Sequence, residues 1–477
     1  MRDHTPANPG ALDRIRAAVG AGGWLDGAEA EALEKDERGI YRGRAALVVQ
    51  PRSVAEIAAV VSICAAEEIP VVAQGGNTGL VGASGPFGPT PPVLITTRRL
   101  TAIRDIDAAN HTMTVDAGCV LAQAQAAAET AGLLFPLSLG AEGSCTIGGN
   151  ISTNAGGIQV LRYGTMRDLV LGLEAVLPDG TVWNGLRRLR KDNTGYDLKH
   201  LFIGAEGTLG IVTGAVLKLF PRPAGTATAL VGLSSVEDAV ALLGLARAAT
   251  ADALTAFELI SRYAVEAGMA HVGIADPLAS PHPWYTLMEI GAESADGGRQ
   301  TLETLLGSAF EAGLVADGVV AASTAQARAL WRVRESTWEG QRGEGASIKH
   351  DVSVPVSVVA DFISEATLIA EAAIPGSRIF AFGHVGDGNI HFNLAQPRGM
   401  DPQRFLDRSA EVHDLVHAIV ARFGGSISAE HGIGRLKRDE LARYKNPVEF
   451  RMMRAVKTAL DPLGLMNPGV LIPEIER

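Results

Sequence analysis

The first regular pattern of apolar positions lies between residues 46 and 76. The sequence ALVVQPRSVAEIAAVVSICAAEEIPVVAQGG begins with an apolar strand and ends with another. Between them, Ile57, Val60, Val61 and Cys64 have the spacing of one buried helix face. A helix between two strands predicts a βαβ-like unit. The second strand runs into glycines and not into another helix, which differs from the usual dinucleotide-binding fingerprint.

The pattern changes twice further along the chain. Residues 100–220 combine short strands with many glycines, and Pro221 and Pro223 then interrupt any regular element. Residues 225–375 alternate helices and strands, with apolar stripes at 236–250 and 299–313. We therefore predict three regions: a first domain of residues 1–222 (helices in 1–40, a glycine-rich core in 41–222), a second domain of residues 223–429, and a C-terminal segment of residues 430–477 that returns to the first domain.

Charge and cysteine content narrow the protein class. The net charge of −11 argues against a general nucleic-acid binder, because such proteins present basic patches to phosphate. Cys64, Cys119 and Cys145 form no CxxC pair, which indicates a reducing compartment without structural disulfides. The charged N-terminus lacks the apolar core of a secretory signal, and no apolar run reaches membrane-spanning length. These features predict a cytoplasmic protein.

Glycine-rich runs recur three times in the first half, at 71–84, 136–157 and 192–213. Glycine permits positive φ and lets backbone N–H groups approach a phosphate closely. One such loop is as well explained by a tight turn. Three runs would be costly in chain entropy if nothing filled them, so they indicate a long, polar, folded cofactor. No GxGxxG with an acidic residue about 20 positions later occurs, which argues against a nicotinamide cofactor.

A pair of histidines marks the segment RIFAFGHVGDGNIHFNLA, residues 378–395. Asp387-Gly388 is a favoured two-residue hairpin turn. With that turn, His384 lies opposite His391, and Asn393 follows two residues later on the same face. The hairpin therefore predicts two imidazoles within reach of one metal ion.

A third metal ligand is available in SISAEHGIGRLK, which places Glu430 and His431 after a short apolar strand. Glu430 would complete a His₂Glu set of the kind found in catalytic zinc sites. His413 and His417 form a competing pair at helical spacing. They lack the glutamate of an HExxH motif, so we interpret them as a solvated helix face.

Two further segments carry candidate anchors for an anionic substrate. ALWRVRESTWEG predicts a helix with Arg334 and Trp338 on one side. SIKHDVSVPV alternates like a strand, with Lys349 and Asp351 on one face. Taken alone, both are typical of ordinary surface elements.

The glycine runs, in this order and spacing, resemble the flavin domain shared by vanillyl-alcohol oxidase and the cresol methylhydroxylase flavoproteins. Within that superfamily the chain resembles the D-2-hydroxyglutarate and D-lactate dehydrogenase branch, from about residue 40 to 473. The resemblance implies an α+β fold with a two-part FAD-binding domain and an α+β substrate (cap) domain containing an antiparallel sheet. It also implies FAD-dependent oxidation of a D-2-hydroxy acid, with D-2-hydroxyglutarate first and D-lactate, D-malate and glycolate open.

The resemblance also assigns the cofactor-binding residues. Residues 75–80 would hold the FAD pyrophosphate, and the first loop lacks the histidine that some relatives use for covalent attachment, so FAD is expected to be non-covalent. The implied set is Gly75, Gly76, Asn77, Thr78, Gly79, Leu80, Pro136, Gly140, Gly143, Ser144, Gly148, Asn150, Thr153, Asn154, Gly156, Glu206, Gly210, Ile211 and Asn467.

Roles at the reacting centre follow from the same resemblance. It makes Glu430 the third ligand of a divalent metal, with zinc favoured, beside His384 and His391. It implies that His431 is a substrate-contacting base. Substrate carboxylates and neighbouring groups would be held by Arg334, Lys349, Asn393 and His431. Arginine suits this because its planar fork binds carboxylates bidentately.

Trp338 departs from the pattern of hydroxyglutarate enzymes, where a small hydroxyl residue is expected, and it puts a pocket for a distal carboxylate in doubt. The electron acceptor implied by analogy is an electron-transfer flavoprotein, a cytochrome or a quinone, and the chain is expected to act alone or as a homodimer. The alternative function within the family is a D-lactate dehydrogenase or the FAD subunit of a glycolate oxidase. Two other classes stay open: a metal-dependent hydrolase, and a non-catalytic subunit of a larger redox complex that binds FAD structurally.

Overall fold

A computed structural model describes residues 8–473 of the chain. The predicted first and last regions also include residues 1–7 and 474–477, which lie outside the described residues. The helices, in chain order, are α1 (Pro9–Val19), α2 (Gly27–Leu33), α3 (Val54–Ala66), α4 (Leu121–Thr130), α5 (Ile147–Ser152), α6 (Val160–Tyr163), α7 (Met166–Leu169), α8 (Lys199–Phe202), α9 (Val236–Thr250), α10 (Arg262–Val272), α11 (Ala295–Glu311), α12 (Thr324–Gly343), α13 (Val359–Ala373), α14 (Pro402–Leu406), α15 (Ser409–Arg422), α16 (Arg438–Tyr444) and α17 (Pro447–Leu460).

Strands are more numerous than helices, and most are short. They are β1 (Trp24–Leu25), β2 (Leu47–Val49), β3 (Val71–Gln74), β4 (Val93–Thr96), β5 (Ile103–Asp107), β6 (Thr112–Asp116), β7 (Leu133–Leu134), β8 (Val170–Val176), β9 (Val182–Gly185), β10 (Ile211–Lys218), β11 (Phe220–Pro221), β12 (Gly225–Leu233), β13 (Leu254–Ser261), β14 (Trp284–Ala292), β15 (Asp317–Val320), β16 (Ser347–Ile348), β17 (Asp351–Ser353), β18 (Arg378–Gly383) and β19 (Asn389–Ala395). Short 3₁₀ helices cover Ala251–Ala253 and Val356–Val358.

The chain forms two compact units, each built from discontinuous segments. The first unit comprises Met1–Gly156, Gly164–Arg222 and Glu430–Arg477. The second comprises Gly157–Tyr163 and Pro223–Ala429. Among the described residues, no helix is long and apolar enough to cross a bilayer.

Three sheets make up the framework of the first unit. One has the strand order β1-β2-β4-β3, in which β2 and β3 both run parallel to β4. A second has the order β5-β6-β10-β8-β9 and is antiparallel, and β7 pairs with β11 separately. The core beside the first sheet includes Ile57, Val60 and Val93. Exclusion of these side chains from water stabilises the unit in proportion to the apolar area buried.

The strand–helix–strand pattern predicted for residues 46–74 is confirmed as β2, α3 and β3. Helix α3 begins where the Ser53 hydroxyl accepts the N–H of Glu56, and its buried face includes Ile57 and Cys64. Two described helices, α1 and α2, lie within residues 1–40, where helices were predicted. Helix α1 ends at Gly20, which has a positive φ of 67°, and α2 starts only after β1.

One large antiparallel sheet forms the second unit, in the order β15-β12-β14-β13-β18-β19-β16, with β17 also paired to β19. This confirms the predicted antiparallel sheet. The apolar stripes at 236–250 and 299–313 correspond to α9 and, shifted by a few residues, α11. Helix α15 packs on α13, and α12 packs on α10.

Candidate functional site

A cleft in the first unit gathers residues from all three glycine-rich runs. Gly75 comes from the first run, Gly148 and Thr153 from the second, and Glu206 and Gly210 from the third. The cleft has a volume of about 80 Å³ and opens to solvent. The fold therefore brings together segments that are separated by up to 135 residues in sequence.

The first glycine run presents its backbone in an unusual way. Within the described part of the chain, none of the six backbone N–H groups of residues 75–80 donates a hydrogen bond to another residue. Gly75 and Gly76 also touch the second run closely. A Cβ atom at Gly75 would lie 2.2 Å from the Thr146 hydroxyl, and one at Gly76 would lie 2.1 Å from the Ser144 carbonyl oxygen. Consecutive unpaired N–H groups form the kind of concavity that binds anions.

The C-terminal segment of the first unit is fixed to this cleft through Glu206. Its carboxylate accepts the N–H groups of Ile433, at 2.8 Å, and Gly434, at 2.7 Å. Burial raises the pKa of Glu206 to about 7, although these two hydrogen bonds oppose the shift. The Asn467 amide donates to the backbone carbonyls of Ala83, at 2.8 Å, and Glu206, at 2.6 Å.

Other predicted cofactor residues have varied positions. The Asn77 side chain bonds within the protein, because its amide donates to the Lys35 carbonyl and its oxygen accepts from the Ser84 hydroxyl. Asn154 similarly accepts the N–H of Arg167. Of the remaining predicted residues, Ile211 also lines the cleft; Thr78, Gly79 and Leu80 are half-buried; Gly140, Gly143 and Ser144 are exposed; and Pro136, Asn150 and Gly156 are buried.

The histidine hairpin of the second unit differs from its prediction in register. His391 on β19 pairs with Phe382 on β18, and not with His384. The two-residue turn is replaced by a wider connection, in which Asp387 N–H donates to the carbonyl of His384 and Gly388 N–H also bonds within the loop. The pairing is shifted by two residues, so the predicted face of the hairpin for the His384 side chain is unchanged. The two imidazole rings lie 6.0 Å apart between centroids.

The first group of potential metal ligands is His384, His391 and Glu430. One ligand atom from each lies within 4.8 Å of the others. Glu430 is the residue at which the chain leaves the second unit, and it directly follows Ala429, whose N–H donates to the Asp351 carbonyl at 3.2 Å. Two neutral imidazoles and a carboxylate form a donor set that suits zinc.

His431, the predicted base, is the next residue and is half-buried. Its ring belongs with Asp351 and Glu430 to another group of ligand atoms within 4.8 Å. The alternating pattern of residues 347–356 predicted Asp351 beside Lys349 on one strand face. In the structure the strand breaks at 349–350, so Lys349 is exposed, while Asp351 is buried and accepts the Asn389 amide at 3.0 Å.

Glu258, which the sequence analysis did not identify, connects two predicted site residues. It lies in β13 and is fully buried. His384 donates from Nδ1 to Glu258 Oε1 at 2.6 Å, and Arg334 donates from Nε to Glu258 Oε2 at 2.7 Å. Burial would raise the pKa of Glu258, but the charges of His384 and Arg334 outweigh it and lower the pKa to about 2. In the neutral imidazole that a metal would bind, the proton on Nδ1 leaves the lone pair of His384 on Nε2.

Arg334 lies on α12, and its guanidinium bonds to a described residue through one of its three nitrogens. Its Nε bonds Glu258 and its face lies 5.0 Å from the Phe382 ring, but its two terminal nitrogens donate to no residue among 8–473. A nearby ring, Trp338, is 52% exposed, and the ammonium of Lys349 lies 6.0 Å from its centroid.

Asn393, predicted to contact substrate, is buried and bonded within the second unit. Its side-chain oxygen accepts the N–H of His350 at 2.9 Å, and its amide donates to Gln341 at 3.1 Å. These contacts hold β19 against α12 and the segment at His350, and the substrate contact of Asn393 stays a prediction.

The interpretation of His413 and His417 as a solvated helix face is wrong. His417 is only 2% exposed, and His413 is half-buried with its Nδ1 at 3.1 Å from Nε2 of His350. The i,i+4 spacing was read correctly, but this helix face packs inward, because α15 lies on α13 and its histidines contact His350.

Comparison with protein families covers most of the chain. Residues 222–471 match the family described as FAD linked oxidases, C-terminal domain, and residues 45–185 match an FAD binding domain. Among solved structures, p-cresol methylhydroxylase with substrate bound is similar in fold. The TM-score is 0.75 at 18% identity, covering 96% of each chain.

Curated relatives align over nearly the whole sequence. A probable mitochondrial D-2-hydroxyglutarate dehydrogenase of Oryza sativa subsp. indica is 39% identical over 92% of this chain and 77% of its own length. A D-2-hydroxyglutarate dehydrogenase of Xanthomonas citri pv. viticola is 39% identical over 89% of this chain and 88% of its own length. A putative mitochondrial D-lactate dehydrogenase of Schizosaccharomyces pombe is 35% identical over 93% and 85%.

These comparisons overturn the predicted cytoplasmic location. The relatives from rice, Arabidopsis thaliana, Bos taurus and Schizosaccharomyces pombe are named mitochondrial. The prediction was wrong because reduced cysteines and a missing secretory signal argue against export and do not distinguish one interior compartment from another.

Proposed function

Because the chain belongs to the family of FAD-linked oxidases that contains the D-2-hydroxyglutarate dehydrogenases, we propose that it oxidises a D-2-hydroxy acid, first of all D-2-hydroxyglutarate to 2-oxoglutarate. The observation that carries the proposal is the bridge made by Glu258. One buried carboxylate on β13 orients two side chains: a candidate metal ligand, His384, which follows β18, and a candidate carboxylate anchor, Arg334, on α12. A 2-hydroxy acid needs both kinds of group side by side.

FAD fits the residues of the first unit. The unpaired N–H groups of residues 75–80 would hold its pyrophosphate, and the cleft lined by Gly148, Glu206 and Gly210 would take adjoining parts of the cofactor. No histidine occurs in the first loop, so the cofactor is held without a covalent bond. When bound, FAD supplies the acceptor for the hydride that leaves C2 of the substrate.

The residues proposed to hold a divalent metal, with zinc first, are His384, His391 and Glu430. Glu258 fixes the tautomer of His384 so that Nε2 carries the lone pair a metal requires. A metal in this set would supply a Lewis acid that favours loss of the hydroxyl proton.

The remaining roles belong to charged and basic side chains. The terminal nitrogens of Arg334 would bind a substrate carboxylate as a fork, with Lys349 adding positive charge and Asn393 adding a polar contact to the substrate. His431 would accept the hydroxyl proton, because an imidazole titrates near neutral pH and is suited to general base catalysis.

Anaerobic reduction of the bound flavin tests the substrate and the base together. We expect D-2-hydroxyglutarate to bleach the flavin absorbance, and a chelator to slow bleaching. His431→Gln should slow it strongly while FAD stays bound, whereas His200→Gln, at an exposed histidine bonded to Arg167, should not. Bleaching by none of D-2-hydroxyglutarate, D-lactate, D-malate and glycolate would contradict the proposal and favour a non-catalytic flavin subunit. A colourless protein would favour a hydrolase.

The carboxylate anchor is tested by Arg334→Lys, which keeps the charge and removes the fork. Hydrogen bonds to a charged group are worth about 1.5–3 kcal/mol. Their loss should lower kcat/KM roughly 10- to 150-fold, mainly by raising KM. Arg332→Lys is the matched control on the same helix, since Arg332 is exposed and paired with Glu339. Equal effects of the two substitutions would remove Arg334 from the substrate site.

D-lactate is the second candidate substrate. The bulky, half-exposed Trp338 stands where a distal carboxylate would need room, and one relative is named a putative D-lactate dehydrogenase. For turnover we propose an electron-transfer flavoprotein, a cytochrome or a quinone as electron acceptor, and a monomer or homodimer as the working form. Reoxidation of the reduced flavin by each acceptor class, and light scattering of the FAD-bound chain, distinguish these options.

A further inference from the structure

We propose that the second unit contains another metal site, formed by His350, His413 and His417, which binds a divalent first-row metal such as Zn²⁺ and has a structural role. One ring nitrogen from each of the three histidines lies within 4.8 Å of the others. None of these residues belongs to the group His384, His391 and Glu430. All three lie within the second unit, so their geometry depends on that unit alone.

The distances match those of a metal-bound histidine cluster. Nε2 of His350 lies 3.1 Å from Nδ1 of His413. In tetrahedral zinc sites with Zn–N bonds of about 2.0–2.1 Å, two ligand nitrogens are roughly 3.3 Å apart. The ring of His417 lies 5.6 Å from each of the other two centroids, so it completes a compact triangle.

The hydrogen bond at Nδ1 of His350 determines which of its ring nitrogens carries the lone pair. Nδ1 of His350 lies 2.7 Å from the carbonyl oxygen of Phe392, which can only accept a hydrogen bond. Nδ1 therefore carries the proton, and Nε2 presents its lone pair to His413. The backbone N–H of His350 is also fixed by Asn393. A metal-ligating histidine commonly has this support, in which its second nitrogen donates to a backbone carbonyl.

The burial of the cluster favours an ion with one accessible side. His350 and His417 are each 2% exposed, whereas His413 is half-buried. Three neutral imidazoles suit zinc and its neighbours in the first transition row, and they leave a fourth position for water. The i,i+4 spacing of His413 and His417 places both on one side of α15, and both rings lie near the ring of His350.

The second cluster lies close in the structure to residues of the first ligand group. His350 directly precedes Asp351, which pairs in register with His391 on β19. The carbonyl that orients His350 belongs to Phe392, the residue after His391. His350 lies between β16 and β17, so a metal at the second cluster would tie α15 to the segment next to the strand that carries His391.

Metal stoichiometry of the full-length, FAD-bound chain tests the proposal. The protein is stripped with a chelator, dialysed against Zn²⁺ and analysed for bound metal per chain. We expect two equivalents in the wild type, and one in each of His391→Ala and His413→Ala. His271→Ala, at a partly exposed histidine of the same unit that bonds Glu344, should keep two.

A second measurement covers the case in which His413→Ala folds poorly. In His391→Ala, where only the new cluster is intact, Co²⁺ should give the visible absorption of a tetrahedral site. Zn²⁺ at a hundredfold excess over Kd should raise Tm by roughly 5–10 °C. One equivalent in the wild type and none in His391→Ala, without a cobalt band, would overturn the proposal and leave a hydrogen-bonded histidine cluster. Neither readout depends on the substrate, so the outcome is independent of the proposed activity.

Discussion

Replacing Glu258 with glutamine tests whether one buried carboxylate organises the candidate active site. The substitution keeps the size of the side chain and removes its charge. A glutamine oxygen can still accept from one donor, but its amide group would face the other donor. We therefore expect His384 or Arg334 to lose its partner, because both currently bond to the two oxygens of the same carboxylate.

The size of the effect follows from these contacts. Each is a short bond between ionised or polarised groups, at 2.6 and 2.7 Å, and such a bond is worth about 1.5–3 kcal/mol. At 1.36 kcal/mol per factor of ten, loss of the His384 contact should weaken metal binding roughly 10- to 150-fold. That range agrees with the roughly 10- to 100-fold losses found when residues that orient metal-bound histidines are replaced.

The assay is zinc competition with a chromogenic chelator, together with kcat/KM for the substrate that bleaches the flavin. Glu289→Gln provides a matched control. Glu289 lies on the neighbouring strand β14 and accepts from Thr228 and Trp331, without contact to a predicted ligand. If Glu258→Gln and Glu289→Gln hold zinc as tightly as the wild type, Glu258 does not orient a metal ligand and the reasoning fails.

Three further predictions concern the substrate pocket and the first unit. Trp338→Ser should raise kcat/KM for D-2-hydroxyglutarate relative to D-lactate, measured in parallel assays, if the indole fills the space of a distal carboxylate. Lys457→Met should lower the free energy of unfolding in urea by about 3–5 kcal/mol, because it leaves the buried Asp461 without its ion pair; Lys457→Met/Asp461→Asn should recover part of this. Because the pKa of Glu206 is raised to about 7 in the folded state, the carboxyl contributes stability below pH 4.5 that is lost as pH rises through about 7. The free energy of unfolding of Glu206→Gln should therefore rise by about 3 kcal/mol relative to that of the wild type between pH 4.5 and 8, measured by chemical unfolding.

The local pattern of apolar residues was sufficient to predict much of the fold. Apolar spacing located α3 between two strands, because a helix that covers a sheet must show its apolar side chains every three to four residues. The antiparallel sheet of the second unit followed from resemblance. The hairpin register was wrong because Asp-Gly favours a two-residue turn in general, while here Asp387 also caps the wider connection by accepting the N–H of Asn389.

Burial of a helix face was harder to predict than the helix itself. His413 and His417 were given the correct spacing and the wrong environment. Polar side chains on a helix usually face water. Val412, Val416 and Val420 mark the inward surface of α15, but they do not show that the neighbouring histidines are buried with it. The signal lay elsewhere, in His350, whose position opposite α15 depends on pairing between β17 and β19. Single-sequence reasoning has no access to such pairing.

The position of Glu258 depends on strand register in the same way. Leu259 pairs with Gly383, and Ile260 pairs with Phe382. If this antiparallel pairing is continued by one residue, Glu258 lies opposite His384, the residue that follows the end of β18. The sequence offered one clue, a lone acid inside the apolar strand LTAFELIS. A fully buried carboxylate must be paired to be tolerated, so its presence already required two cationic or donor groups nearby. Only the sheet shows that these are His384 and Arg334, residues 50 positions apart in sequence.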